Sequence, residues 1–262
     1  MEDVSIMKTS IAVIDSGVGG LLVLEALVKQ MPEQSFIYVG DQKNAPYGIK
    51  TKEQLLAYNT RIISWLASQG IDTIVVACNT SCSTVLPELR QAFPKIAFYG
   101  IIEVTCEQID AAVSKAVLVL ATKATIQARG YEAVIETLYP SMQLYSEAAG
   151  EYVVAVEEGA SEEEFRRITE LHLRPYIGLI DTIILGCTHF PYAVSYMQEL
   201  FDGNIMNSND AIANHVAVCE ANRPKAKQRT LTFYTTKDEM QFQLQVQKIF
   251  QNPTAVCLLE VL

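Results

Sequence analysis

Ile71-Asp72-Thr73-Ile74-Val75-Val76-Ala77-Cys78-Asn79-Thr80 returns later in the chain, nearly copied, as Ile180-Asp181-Thr182-Ile183-Ile184-Leu185-Gly186-Cys187-Thr188-His189. In both copies a β-branched apolar run ends at a cysteine followed by small hydroxyl or amide residues. Such a run has the pattern of a strand buried on two faces. A buried parallel strand leads into a loop and helix, and open α/β sheets keep their chemistry at those strand ends. The repeat predicts two related α/β halves, each offering one thiol at the same structural position. Two facing thiols suit a reaction on both faces of one carbon.

Working outward, strand-like runs alternate with helix-like segments, which argues for mainly parallel sheets. In the first half, strands are predicted over residues 11–15, 35–40, 71–77 and 97–101, with helices over 21–30, 52–69 and 83–92. The second half reads as strands over 116–121, 152–156 and 182–186 and one near Ile205. Its helices are predicted over 126–138, from Ser161 and after Pro191, and Ser161-Glu162-Glu163-Glu164 has the spacing of a capping box. The tail offers a helix over 211–221, a strand over 231–234 and a helix over 237–250. If the tail returns to the first sheet, the domains are 1–100 plus 211–262, and 101–210.

The chain of 262 residues is half apolar and 19% charged, with a formal charge of −10. That charge argues against nucleic acid or an anionic membrane as partner, and leaves an anionic substrate to be held by local donors. No stretch approaches the roughly 18 consecutive apolar residues of a membrane span. The segment 1–10 lacks an apolar core for an export signal. Six cysteines without a framework spacing are then expected to be reduced thiols in a cytoplasmic protein.

Asp15-Ser16-Gly17-Val18-Gly19-Gly20 directly follows the first predicted strand. A tight glycine turn explains it by itself. A dinucleotide fingerprint is the alternative, but a third glycine is missing at the required offset and Asp15 would repel pyrophosphate. What remains is a carboxylate and a hydroxyl at a sheet's carboxyl edge. A lone cysteine ending a strand is ordinarily a small core residue, but two in matching contexts argue for chemistry. Each is expected near a helix N-terminus, where the dipole and free N–H groups favour a thiolate. With Ser16, Asn79, Thr80 and Thr188, those N–H groups are expected to hold a substrate carboxylate.

A zinc site from Cys78, Cys82, Cys187 and His189 would lack any compact ligand pair. His189 is better read as tuning Cys187, as Asp15 tunes Cys78. His172 and His215 read as surface or helix-packing residues. Asn44-Ala45-Pro46-Tyr47-Gly48 is a turn, or a loop offering backbone donors to a substrate. No lysine accompanies either cysteine motif to form a Schiff base. Neither metal nor organic cofactor is expected.

Together these segments resemble the glutamate racemases, cofactor-independent enzymes of the aspartate/glutamate racemase superfamily. The resemblance rests on Ile14–Gly20, Ala45–Gly48, Ala77–Thr80, Leu185–Pro191 and Phe233–Thr236. It implies two pseudo-symmetric α/β domains with the active site in the cleft between them. It also implies interconversion of L- and D-glutamate, supplying D-glutamate for peptidoglycan. Cys78 and Cys187 are then the acid/base pair, with Asp15 and His189 beside them. Asp15, Ser16, Tyr47, Gly48, Asn79, Thr80, Thr188 and His189 match substrate-contacting positions, as do Thr125 and, at a cleft position, Glu157.

Val104-Thr105, Ala124, Ala149-Gly150 and Asn207-Ser208-Asn209 depart from the family pattern, mostly in the second half. The expected partners are glutamate as substrate and a second copy in a homodimer, with no nucleic acid and no membrane. The alternatives are a racemase of aspartate or another small amino acid, or a non-catalytic relative that binds an amino acid or a protein. Inverting an α-carbon removes a proton from one face and returns one to the other. Two opposed bases do this with neither a moving base nor a turning substrate. Each reacting atom should lie about 3–3.5 Å from the carbon. One sulfur must be thiolate while the other is thiol, which requires surroundings that set them apart.

Overall fold

A computed structural model describes residues 9–250 and 255–260 of the chain. Most of the segment 1–10 therefore lies outside the described residues. The first half runs β1 (Ile11–Asp15), α1 (Gly20–Gln30), β2 (Phe36–Gly40), α2 (Lys52–Ser68), β3 (Thr73–Val76), α3 (Asn79–Thr84), α4 (Leu86–Ala92), β4 (Ala97–Gly100) and α5 (Ile101–Glu107). The second runs β5 (Ala116–Ala121), α6 (Lys123–Ala128), α7 (Gly130–Leu138), β6 (Gln143–Ala148), α8 (Glu151–Glu158) and α9 (Glu162–Leu173). It continues with β7 (Thr182–Gly186), α10 (Val194–Gln198), β8 (Asn204–Met206) and α11 (Asn209–Cys219), and the tail adds β9 (Leu231–Thr235), α12 (Glu239–Ile249) and β10 (Ala255–Leu258).

The six-stranded sheet has the order β10-β9-β2-β1-β3-β4 and the four-stranded sheet β6-β5-β7-β8. Each contains the same four-strand unit, second-first-third-fourth. Every pairing among the described residues is parallel. In such a unit the strand order reverses beside the first strand, and the crevice outside the carboxyl ends of the first and third strands is where ligands bind. Those ends carry Asp15 and Cys78 in one sheet, Thr122 and Cys187 in the other. Strands β9 and β10 pair beyond β2, so the chain leaves the first sheet after β4 and returns to finish it.

The central strands are buried along their whole length, as two-sided parallel strands require. Alternate side chains of β5 divide between two clusters. Val117, Val119 and Ala121 join the larger core around β1, and Leu118 and Leu120 the smaller one under α8 and α9. Helix α2 begins at a full capping box, Thr51 with Gln54. At Ser161 only half of the expected box forms: the hydroxyl accepts from the Glu164 N–H.

Two predicted elements are corrected. Residues 152–156 are helical, inside α8, not a strand. Tyr152, Val153 and Ala155 are buried while Val154 is 47% exposed, a helical face instead of an alternation. The strand of that region is β6, an edge strand whose Gln, Ser and Glu side chains hide it in the sequence. The predicted helix over 126–138 is broken, because Arg129 takes a left-handed conformation (φ 54°) between α6 and α7. Among the described residues no helix is long and apolar enough to cross a membrane.

Candidate active site between two strand ends

Cys78 and Cys187, 5% and 8% exposed, line one cavity of about 290 Å³. That is near the small end of the ~300–1,000 Å³ range of small-molecule pockets. Ser16, Tyr47, Gly48, Asn79, Thr80, Thr188 and His189 share its wall. Asp15, Thr125 and Glu157 stand one layer behind. A larger cavity of about 900 Å³ lies near the ends of β2, β9 and β10 and contains neither thiol, so size alone does not locate the chemistry.

Asp15 ends β1 buried, its Oδ1 accepting from the Gly17 N–H at 2.9 Å and its Oδ2 from the Thr188 hydroxyl at 3.2 Å. The second bond joins the two halves. Its approach depends on Gly19, where a Cβ would fall 2.5 Å from Thr188 Oγ1 and 2.7 Å from His189 Nδ1. Burial raises the Asp15 carboxyl, against the opposing pull of His189 and these hydrogen bonds. Thr80 Oγ1 meets Thr122 Oγ1 at 2.9 Å and Thr125 Oγ1 at 3.2 Å, a second link across the halves.

His189 is fully enclosed between Cys187 and Glu157, with Nδ1 3.9 Å from Cys187 Sγ and Nε2 2.7 Å from Glu157 Oε1. Burial opposes its charge, but the bonds to Cys187 and Glu157 outweigh burial and raise the ring to about 10. Glu157 is held below the ordinary carboxylate range: burial works the other way, and the His189 bond and charge and the Val18 N–H overcome it. An imidazolium–carboxylate pair therefore stands behind Cys187 at neutral pH. Cys78 differs. Burial first, and the Asp15 charge second, push its thiol up to about 12. The expected lowering by the following helix is reversed there, because α3 has only six residues and the sulfur is sealed from water.

Among the described residues no group of three or more His, Cys, Asp or Glu is arranged to hold a metal ion. His172 packs inside the second half, both ring nitrogens on glutamates (Glu147 and Glu151), and His215 sits exposed on α11. Several residues of the site carry no signal in the motifs: Thr122, Lys123 and Val153 line the cavity, and Tyr131 bonds to Asn79. Thr122 was findable as the hydroxyl N-cap of α6. Val153 was hidden by the misread strand, and Tyr131 looks like any core tyrosine of a helix.

Two matching parallel units, each bringing one thiol to a shared small cavity, place the chain among the α/β enzymes. The pattern of the Asp/Glu/Hydantoin racemase family matches residues 11–216, and the chain belongs to that family. It is an isomerase acting on amino acids. The glutamate racemase of Aquifex aeolicus (strain VF5) is 35% identical over 206 residues, 78% of this chain and 80% of its own. A glutamate racemase structure from Bacillus anthracis aligns with a TM-score of 0.89 at 27% identity, over 97% of this chain and 98% of that one. The structure from Francisella tularensis subsp. tularensis SCHU S4, in complex with D-glutamate, shares the fold with a TM-score of 0.90 at 23% identity, over 97% and 98% of the two chains.

Proposed function

We propose that the chain interconverts L- and D-glutamate with Cys78 and Cys187 as opposed acid and base. The observation that carries this is the shared cavity: two thiols, each beyond the third strand of an identical sheet unit, line one small space. Glutamate is the substrate of the relatives named above, and the wall offers Ser16, Asn79, Thr80 and Thr188 to its carboxylates. The Tyr47-Gly48 backbone adds donors at the same wall. Domains 1–100 plus 211–262 and 101–210 form the two sides.

The resting charges give the two sulfurs different starting roles. Beside the His189 cation, Cys187 takes the α-proton from one face. Cys78 keeps its proton and delivers it to the other. Asp15, buried beside Cys78, suits the substrate ammonium, whose charge would relieve the repulsion that Asp15 exerts on that sulfur. Thr125 steadies Thr80, and Glu157 steadies His189. As the proton leaves, negative charge spreads onto the carboxylate, where fixed N–H and O–H donors in a closed site stabilise it. The reaction draws on no cofactor in this reading. All six cysteines are unpaired, which suits the cytoplasm, where D-glutamate would feed peptidoglycan synthesis.

The test is incubation of pure L-glutamate with chelator-dialysed, reduced protein, followed by circular dichroism. Loss of optical activity, with deuterium entering the α-position in D₂O, is expected. Turnover of aspartate or alanine at comparable rates would replace glutamate as the substrate. Activity that returns only with added metal or pyridoxal phosphate would remove the two-thiol chemistry.

A further inference from the structure

Asn79 is tied down at one end only. It lines the cavity and is 3% exposed. Its Oδ1 accepts from the Tyr131 hydroxyl at 2.6 Å, while its Nδ2 has no hydrogen-bond partner among the described residues. A buried N–H left without a partner is costly, and such groups call for a functional explanation. Burial keeps the Tyr131 phenol protonated, and the Ser208 hydroxyl is its other partner. With Ser208 donating to the phenol oxygen, the phenol proton goes to Asn79 Oδ1.

Tyr131 reaches Asn79 from the other half of the molecule. It is the second residue of α7, and α7 lies against α3 at Gly130. A Cβ there would fall 2.7 Å from Ser83 Cβ and 3.0 Å from its Cα. The Tyr131 ring also covers Gly186, where a Cβ would meet Cε2 at 3.1 Å. Asn79 follows Cys78 and Gly186 precedes Cys187, so one phenol touches both copies of the repeat.

We propose that Tyr131 is a positioning residue, holding the Asn79 amide with Nδ2 free to donate to a substrate carboxylate. This rests on the two-thiol glutamate reading and adds a residue that never touches substrate. An amide free to turn over would present Oδ1 to the same carboxylate and repel the charge that develops there. The Tyr131 bond removes that orientation.

Tyr131→Phe keeps the ring over Gly186 and deletes only the hydroxyl. It is expected to lower kcat/KM for both glutamate enantiomers by about 10- to 100-fold. Asn79→Ala lowers it too, and in that background Tyr131→Phe should add less than about twofold, because the phenol acts through the amide. Wild-type kcat/KM in Tyr131→Phe, or equal losses in both backgrounds, overturns the proposal. Should Tyr131→Phe fold poorly, Ser208→Ala tests the same chain. It should lower kcat/KM in the wild-type background alone, and equal losses again overturn the idea. A wild-type protein that does not racemise glutamate would sink both readings. An active wild type beside a fully active Tyr131→Phe sinks only the positioning role.

Discussion

Cys78 and Cys187 end matching strands in unlike surroundings. One is sealed beside a buried carboxylate and the other faces an imidazolium. If each serves one face of the substrate, Cys78→Ala and Cys187→Ala should each abolish racemisation, since every turnover needs a donor and an acceptor. In D₂O the two variants should exchange the α-hydrogen of opposite enantiomers, Cys187→Ala that of D-glutamate and Cys78→Ala that of L-glutamate. Near-normal racemisation by either variant would show that one thiol suffices. Glu157→Gln removes a group that raises His189. The alkaline limb of kcat/KM against pH, set near 10 by His189, should move to lower pH in that variant. An unmoved limb would separate Glu157 from the chemistry.

At the scale of elements, the turn from β1 into α1 is one of the places where the two halves press together. Gly19→Ala would drive a Cβ to 2.8 Å from the Thr188 backbone carbon, which cannot swing aside as a side-chain tip can. Overpacking of this kind costs ~1–3 kcal/mol. The melting temperature should fall and racemisation drop more than stability alone explains, because the strain lands beside His189. A Gly19→Ala protein with normal kcat would refute this contact.

The strands that position the site were legible because they are buried on both faces, and burial writes itself as runs such as Ile11–Ile14 and Thr182–Leu185. The cysteine ends of β3 and β7 were legible because the sequence repeats there. Edge strands were not: β6 is half polar and β10 went unpredicted. Of the side chains that bridge the halves, Asp15, Thr80 and Thr188 were legible as site residues, Glu157 only by resemblance and Tyr131 not at all. Periodicity reports which face is buried and never what it is buried against.

For the whole molecule, ionisation behind Cys187 ties stability to pH. His189 is raised from 6.5 to about 10, so the folded state holds that proton more tightly. Its contribution is complete below the unfolded value and is lost as pH rises toward about 10. Glu157, lowered from 4.5, contributes above that value and loses its share as pH falls through the folded one. The melting temperature should therefore decline between neutrality and pH ~10, and the decline should be shallower in Glu157→Gln. Parallel curves for the two proteins would exclude the pair as the cause.

The first sheet is finished by strands that arrive last. Strand β2 pairs with β9, and Gly40 and Leu231 stand almost at opposite ends of the chain. Ribosomes add ~5–20 residues per second, so the β2 edge waits roughly 10–40 seconds for its neighbour during synthesis. Through that interval the nascent chain carries an open parallel edge built of Phe36, Ile37, Tyr38 and Val39, a template for pairing with another chain. A chain truncated at residue 230 should accordingly sediment with the insoluble fraction, and adding back the tail in cis should restore it to solution. Rapid translation and chaperone cover would matter more for the yield of this protein than for one whose sheet closes in chain order.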